Sequence, residues 1–160
     1  MAEDVFLKID GVDGESKDAA HPSECELLSW SWHESNAGSA AAGQGLGTEK
    51  VTMGDFTFTI VTMKGSPKLA EKCATGEHIA SATLTVRKAG GTPVDFLVYK
   101  FTDLLISSFS ISGGGGGLPM ETISFNFAKV EGDYGVQDTT TGQITDHIKW
   151  GYDLKLNQKV

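Results

Sequence analysis

The sequence predicts a mainly β protein: a closed antiparallel β-barrel (two packed sheets) of about eight strands, with one short α-helix at its side. Three observations carry that reading. Apolar and small polar residues alternate with a two-residue period in run after run, glycine-rich stretches separate the runs, and only one segment has helix boundary signals. The chain has 160 residues, which suits a single domain over 1–160 that buries roughly 70% of its unfolded surface.

The first alternating run spans residues 4–9. The next, 26–35, places Leu28, Trp30 and Trp32 on one face and Ser29, Ser31 and His33 on the other. Side chains alternate across a strand, so a face with two indoles is buried and the mild face meets something else. Phe56, Phe58 and Ile60 then alternate with Thr57 and Thr59, and Ala82, Leu84 and Val86 with Ser81, Thr83 and Thr85. Ile123, Phe125 and Phe127 alternate with Thr122, Ser124 and Asn126, and Ile148, Trp150, Tyr152 and Leu154 with Lys149, Gly151 and Asp153. These are two-faced antiparallel strands. Weaker runs at 94–101 and 104–111 complete the set.

The helix is expected over 67–74: Ser66 is a suitable N-cap, Pro67 is pre-set for the first turn, and Gly76 takes the terminating left-handed conformation. Leu69 and Cys73, four apart, share its inner face. Two glycine-rich connections remain. Residues 36–50, with Gly38, Gly43, Gln44, Gly45, Leu46 and Gly47, form a loop longer than compact domains normally use, without phosphate-loop or dinucleotide spacing. Residues 113–117 are a flexible glycine connection between two strands.

Composition excludes several classes. With 13 basic against 21 acidic residues and a net charge of -8, no basic surface tracks nucleic acid. No signal-peptide pattern and no apolar run of membrane-spanning length occurs. Cys25 and Cys73 lack zinc or redox spacing and read as packed free thiols. His21, Glu24, Cys25 and Glu26 have no recognised metal spacing and read as solvated loop polarity; Asp146 and His147 are adjacent and face opposite ways; His33 has nothing local to tune it. No enzyme, cofactor or metal is expected. Ser, Thr and Asn dominate the outward faces, which suits contact between copies or a lining.

The segments FLKIDGVDGESKD at 6–18, LLSWSW at 27–32, ATGEHIASATLTVRKAGG at 74–91, LPMETISFNFAKVE at 118–131 and GYDLKLNQKV at 151–160 occur in the order seen in the Hcp (haemolysin-coregulated protein) family of type VI secretion systems, which the chain resembles over nearly its whole length. The resemblance implies a homohexameric ring, with rings stacked into the inner tube that a contractile sheath expels. The implied partners are the chain itself, the VgrG spike, sheath and baseplate proteins, and small effectors chaperoned in the lumen. It further implies export from the bacterial cytoplasm by the type VI system without a signal peptide, and no fused toxin after the last strand. By motif, Ser31 lies where the family lines the lumen, with Ser29 and His33 its neighbours, and the loop at 36–50 reaches the next ring. The TIVTM stretch at 59–63 departs from the charged residues common there. The competing class is a jelly-roll-like sugar binder, whose Trp30, Trp32 and Trp150 would be open to solvent rather than buried.

Overall fold

A computed structural model describes residues 3–38, 50–88 and 92–160. The strands are β1 (Glu3–Ile9), β2 (Cys25–Glu26), β3 (Ser29–Ser31), β4 (Glu34–Ser35), β5 (Thr52–Met53), β6 (Phe56–Val61), β7 (Ile79–Lys88), β8 (Val94–Ser112), β9 (Met120–Gln137), β10 (Ile144–Asp153) and β11 (Gln158–Lys159), with α1 (Ser66–Thr75) between β6 and β7. Every ladder is antiparallel, as the alternating pattern requires. One nine-stranded sheet runs β11-β10-β9-β8-β7-β1-β2, with β6 joined to β9 and β3 joined to β6, and β4 pairs β5 separately.

The expected closed barrel is not what the ladders make. β2 ends the path beside β1, and β3 ends a branch beside β6. Between them the chain changes partner within two residues: Leu27 N–H donates to the Val5 carbonyl at 3.0 Å and Leu28 N–H to the Thr59 carbonyl at 2.9 Å. Two residues are too few for a ladder on either side. This change of partner separates β2 from β3, and a second one, from β6 to β5, separates β3 from β4, so the strand expected over 26–35 is broken into three. The first change also shifts the pleat, so that Leu27 is buried while Leu28, expected beside the indoles, is 56% exposed.

Alternation sets the core. Phe56, Phe58, Phe101, Phe125, Leu7, Leu84, Leu104 and Ile123 are completely buried, each ring or aliphatic side chain contributing about 1.5–3 kcal/mol over its exposed state. Phe125 lies among Phe56 at 5.1 Å, Phe101 at 5.2 Å and Phe58 at 6.3 Å between ring centroids. Trp30 stacks on Phe56, and Trp32 packs on Tyr99 and Phe127. Both are partly buried against the core.

The helix packs on β8 and begins one residue earlier than expected. Gly65, not Ser66, is its N-cap, at a position where only glycine fits, since a Cβ there would stand 2.5 Å from the Asp13 carbonyl oxygen. Ser66 is instead buried inside the first turn, its Oγ accepting from Met63 N–H at 3.0 Å. Gly76 ends the helix at φ 71°, donating its N–H to the Lys72 carbonyl, as the sequence predicts. Leu69 is buried and Cys73 partly so.

Candidate functional site: a hydroxyl-lined sheet face

Register assembles the site. Ser29 pairs Thr59, Thr59 pairs Thr122, and Thr122 pairs Ser110; beside this row, Ser31 pairs Thr57, Thr57 pairs Ser124, and Ser124 pairs Ser108. Residues paired directly across strands project to the same side, so two rows of hydroxyls cross β3, β6, β9 and β8 without a charged side chain in either. The intervening row, Trp30, Phe58, Ile123 and Phe109, points the other way into the core. Burial of that row fixes the outward direction of the hydroxyls, because a one-residue slip would turn Phe58 and Ile123 to water.

The hydroxyls bond to one another. Ser29 Oγ and Thr59 Oγ1 lie 2.6 Å apart, Ser107 and Ser124 3.0 Å apart, and Ser110 donates to the Thr122 carbonyl at 3.3 Å. Ser108 also bonds Ser124, and Ser107 donates to Asp55 at the margin of the face. Of the predicted residues, Ser29 and Ser31 belong to the rows. His33 lies beyond the end of β3, outside them, with its ring over Gly54: a Cβ there would fall 2.1 Å from His33 Cε1. Gly38 is exposed and donates its N–H to Asn36 Oδ1 at 2.8 Å. Gly43, Gln44, Gly45, Leu46 and Gly47 lie outside the described residues. Thr57, Thr59, Ser108, Ser110, Thr122 and Ser124 were not singled out as site residues. The outward Ser/Thr pattern of their strands was visible, but only pairing register puts them beside Ser29 and Ser31.

The chemistry elsewhere is structural. Burial pushes the Cys25 thiol up to about 12, with the Glu24 and Asp13 charges adding to it, so this sulfur stays a protonated thiol and is a poor nucleophile or ligand. Among the described residues no group of three or more His, Cys, Asp or Glu is placed to hold a metal ion. His21, expected to be solvated, is buried instead. Its ring stacks on Phe6 at 4.4 Å while Nδ1 meets Glu24 at 2.9 Å and Nε2 meets Asp95 at 3.2 Å. Arg87, also buried, donates to both oxygens of Asp18, at 3.0 and 2.6 Å, and to Asp4 at 3.1 Å. The Arg87 guanidinium holds the Asp18 carboxyl far below its ordinary range. These bonds clamp the long β1–β2 connection onto the sheet.

Trp150 corrects a further expectation. It is 39% exposed and Ile148 more so, since β10 pairs with β9 beyond the part of the sheet that the core covers. Its indole is nevertheless not open on all sides: it stacks on Trp32 at 6.0 Å and covers Gly132, where a Cβ would meet Trp150 Nε1 at 2.3 Å.

A chain with one side helix, a phenylalanine core and an uncharged hydroxyl face belongs to the class of mainly β, antiparallel proteins. Residues 6–134 match the family model described as "Type VI secretion system effector, Hcp". The chain is 40% identical over 159 residues to Protein hcp1 of Pseudomonas aeruginosa, covering 98% of each chain. It is similar to the crystal structure of Hcp1 from Salmonella typhimurium, with 40% identity, TM-score 0.84 and 100% of both chains covered. It is also similar to a structure described as a type six secretion system protein, at 34% identity and TM-score 0.91, over 99% of this chain and 100% of that one. The chain belongs to the Hcp family of secreted structural proteins of type VI secretion.

Proposed function

We propose that this protein is the ring subunit of a type VI inner tube, a single domain that assembles as a homohexamer with the hydroxyl face turned to the channel. The observation that carries this reading is the double row Ser29–Thr59–Thr122–Ser110 and Ser31–Thr57–Ser124–Ser108, a broad, uncharged, outward sheet face. A surface in bulk water has no reason to exclude Lys and Glu, whereas a channel that passes varied cargo is served by neutral hydroxyls that bond weakly to any of them. The head-to-tail contact of such a subunit closes into a ring, and a second contact between ring faces builds an open column.

In this reading Ser29, Ser31 and His33 contact effector proteins carried in the lumen. The loop bearing Gly38, Gly43, Gln44, Gly45, Leu46 and Gly47 joins one ring to the next. The column grows in the bacterial cytoplasm on a baseplate under the VgrG spike, inside the contractile sheath, and leaves the cell when the sheath shortens. No substrate is turned over.

Electron microscopy of the purified protein tests the assembly: rings with a central hole are expected, and a uniformly monomeric protein overturns the proposal. Ser31→Gln tests the face. Rings should form as before while a cargo that fills the channel is retained at least tenfold less; loss of rings would place Ser31 in a subunit contact instead.

A further inference from the structure

The place where the ladders fail to close is a groove of about 460 Å³ between β1, the β2–β3 joint and the end of β6. Its lining is apolar and acidic at once. Leu28 and Leu118, 56% and 74% exposed, stand with Met63 on its walls. Glu3, Asp4, Glu15 and Glu26 also line it, and no Lys or Arg does. Asp4 is paired with Arg87 and Glu15 accepts from Lys64 N–H at 3.1 Å. Among the described residues no ion pair engages Glu3 or Glu26.

The complement is in the same sequence. Residues 154–160, LKLNQKV, carry two lysines and no acid, and expose Leu156 and Val160. The segment is a pinned turn rather than a loose tail: Lys159 pairs Tyr152, Leu156 N–H donates to Asp153 Oδ1 at 2.9 Å, and the Tyr152 hydroxyl donates to Asn157 Oδ1 at 2.7 Å. Lys155 is held by Asp103, which leaves Lys159 as its unengaged charge among the described residues.

The turn does not reach the groove of its own molecule. Register aligns Tyr152 with Val130, Phe101, Ala82 and Ile9, whereas the groove lies at Glu3–Phe6. That is roughly 10–20 Å further along the strands, and β11 is roughly 24 Å from β1 along the sheet. The contact therefore joins two copies through different patches, a heterologous contact that propagates. We propose that the Leu156–Lys159 turn of one copy docks in the acidic groove of the next, Leu156 against Leu28 and Leu118, and Lys159 against Glu3 and Glu26. This rests on the tube reading and names two surfaces that meet between subunits.

Paired cysteines test it. In a Cys73→Ser background, Leu118→Cys with Leu156→Cys, oxidised with copper phenanthroline, should give a ladder of disulfide-linked multimers on non-reducing gels. Thr122→Cys with Leu156→Cys should give none. Lys159→Glu should shorten stacked assemblies at least tenfold while ring mass by light scattering is unchanged, and adding Glu26→Lys should restore their length. Assemblies that stack normally without the 118–156 link, or that ignore Lys159→Glu, overturn the docking contact alone. A parent protein that forms no rings overturns the tube reading and this contact with it.

Discussion

β8 and β9 run side by side through two regions whose outward chemistry differs. Near their hairpin the residues on the outward side of the pleat are Ser108, Ser110, Thr122 and Ser124, the last buried beneath Ser107 and Ser108. Towards the other end, Lys100 stands opposite Glu131, Asp133 stands between Val98 and Lys149, and Lys129 stands between Thr102 and Asp153. Both halves are antiparallel ladders, with a register shift between Ile106 and Ser108 in the hydroxyl half, so antiparallel pairing by itself does not require either chemistry. The charged half is a solvated face whose ion pairs, such as Lys129 to Glu131 along β9 at 2.7 Å, lower self-repulsion, and whose charges discourage association. The hydroxyl half carries no such protection, which a surface covered or enclosed by other copies does not need.

The largest break in this comparison comes from beneath the hydroxyl half. Phe125→Ala should cost about 3–5 kcal/mol in denaturant unfolding, because Phe56, Phe58 and Phe101 cannot all collapse into the space. Val130→Ala, under the charged half and fully buried in the same core, should cost about half as much because it leaves a smaller cavity; equal losses would mean that the surroundings of Phe125 collapse into the space it leaves.

Acid separates the regions differently. The Arg87 bond lowers the folded-state pKa of Asp18, so its stabilisation is fully present above the unfolded carboxylate value of about 3.9 and fades as pH falls towards the folded value. Asp18→Asn should therefore lower stability at neutral pH and flatten the loss below about pH 4, as read by thermal unfolding against pH. A variant whose acid limb matches the parent's would remove Asp18 from that linkage.

The smallest effect is expected on the charged face. Glu131→Gln should change stability by at most about 1 kcal/mol at low salt and by nothing measurable in molar salt, since exposed ion pairs are weak and screened. A larger effect would mean that this face is covered in the assembly.

Much of the fold was legible as alternation. The inward residues of β6, β7 and β9 were read correctly, because a two-residue period leaves only two ways to place a strand and burial selects one. Reading failed where local pattern met tertiary geometry. Leu28 follows the indole alternation but is exposed because its backbone leaves β1 for β6. Ser66 has cap chemistry, yet the cap is Gly65, at a position that Asp13 and Val12 crowd. Trp150 alternates as a core residue but stands on a strand that passes beyond the core.

By itself, then, the sequence determined the strand class, the helix and which side chains seek the interior, since those follow from local periodicity and hydrophobic burial. It also contained Ser29 and Ser31 on a mild strand face. Only the tertiary structure decided that Thr57, Thr59, Thr122, Ser124, Ser108 and Ser110 join them, that the ladders stay open at the β2–β3 joint, and that buried Glu121 finds its donor in Thr62 at 2.9 Å. Those outcomes depend on register between segments far apart in the chain, which is fixed only when all the strands pack together.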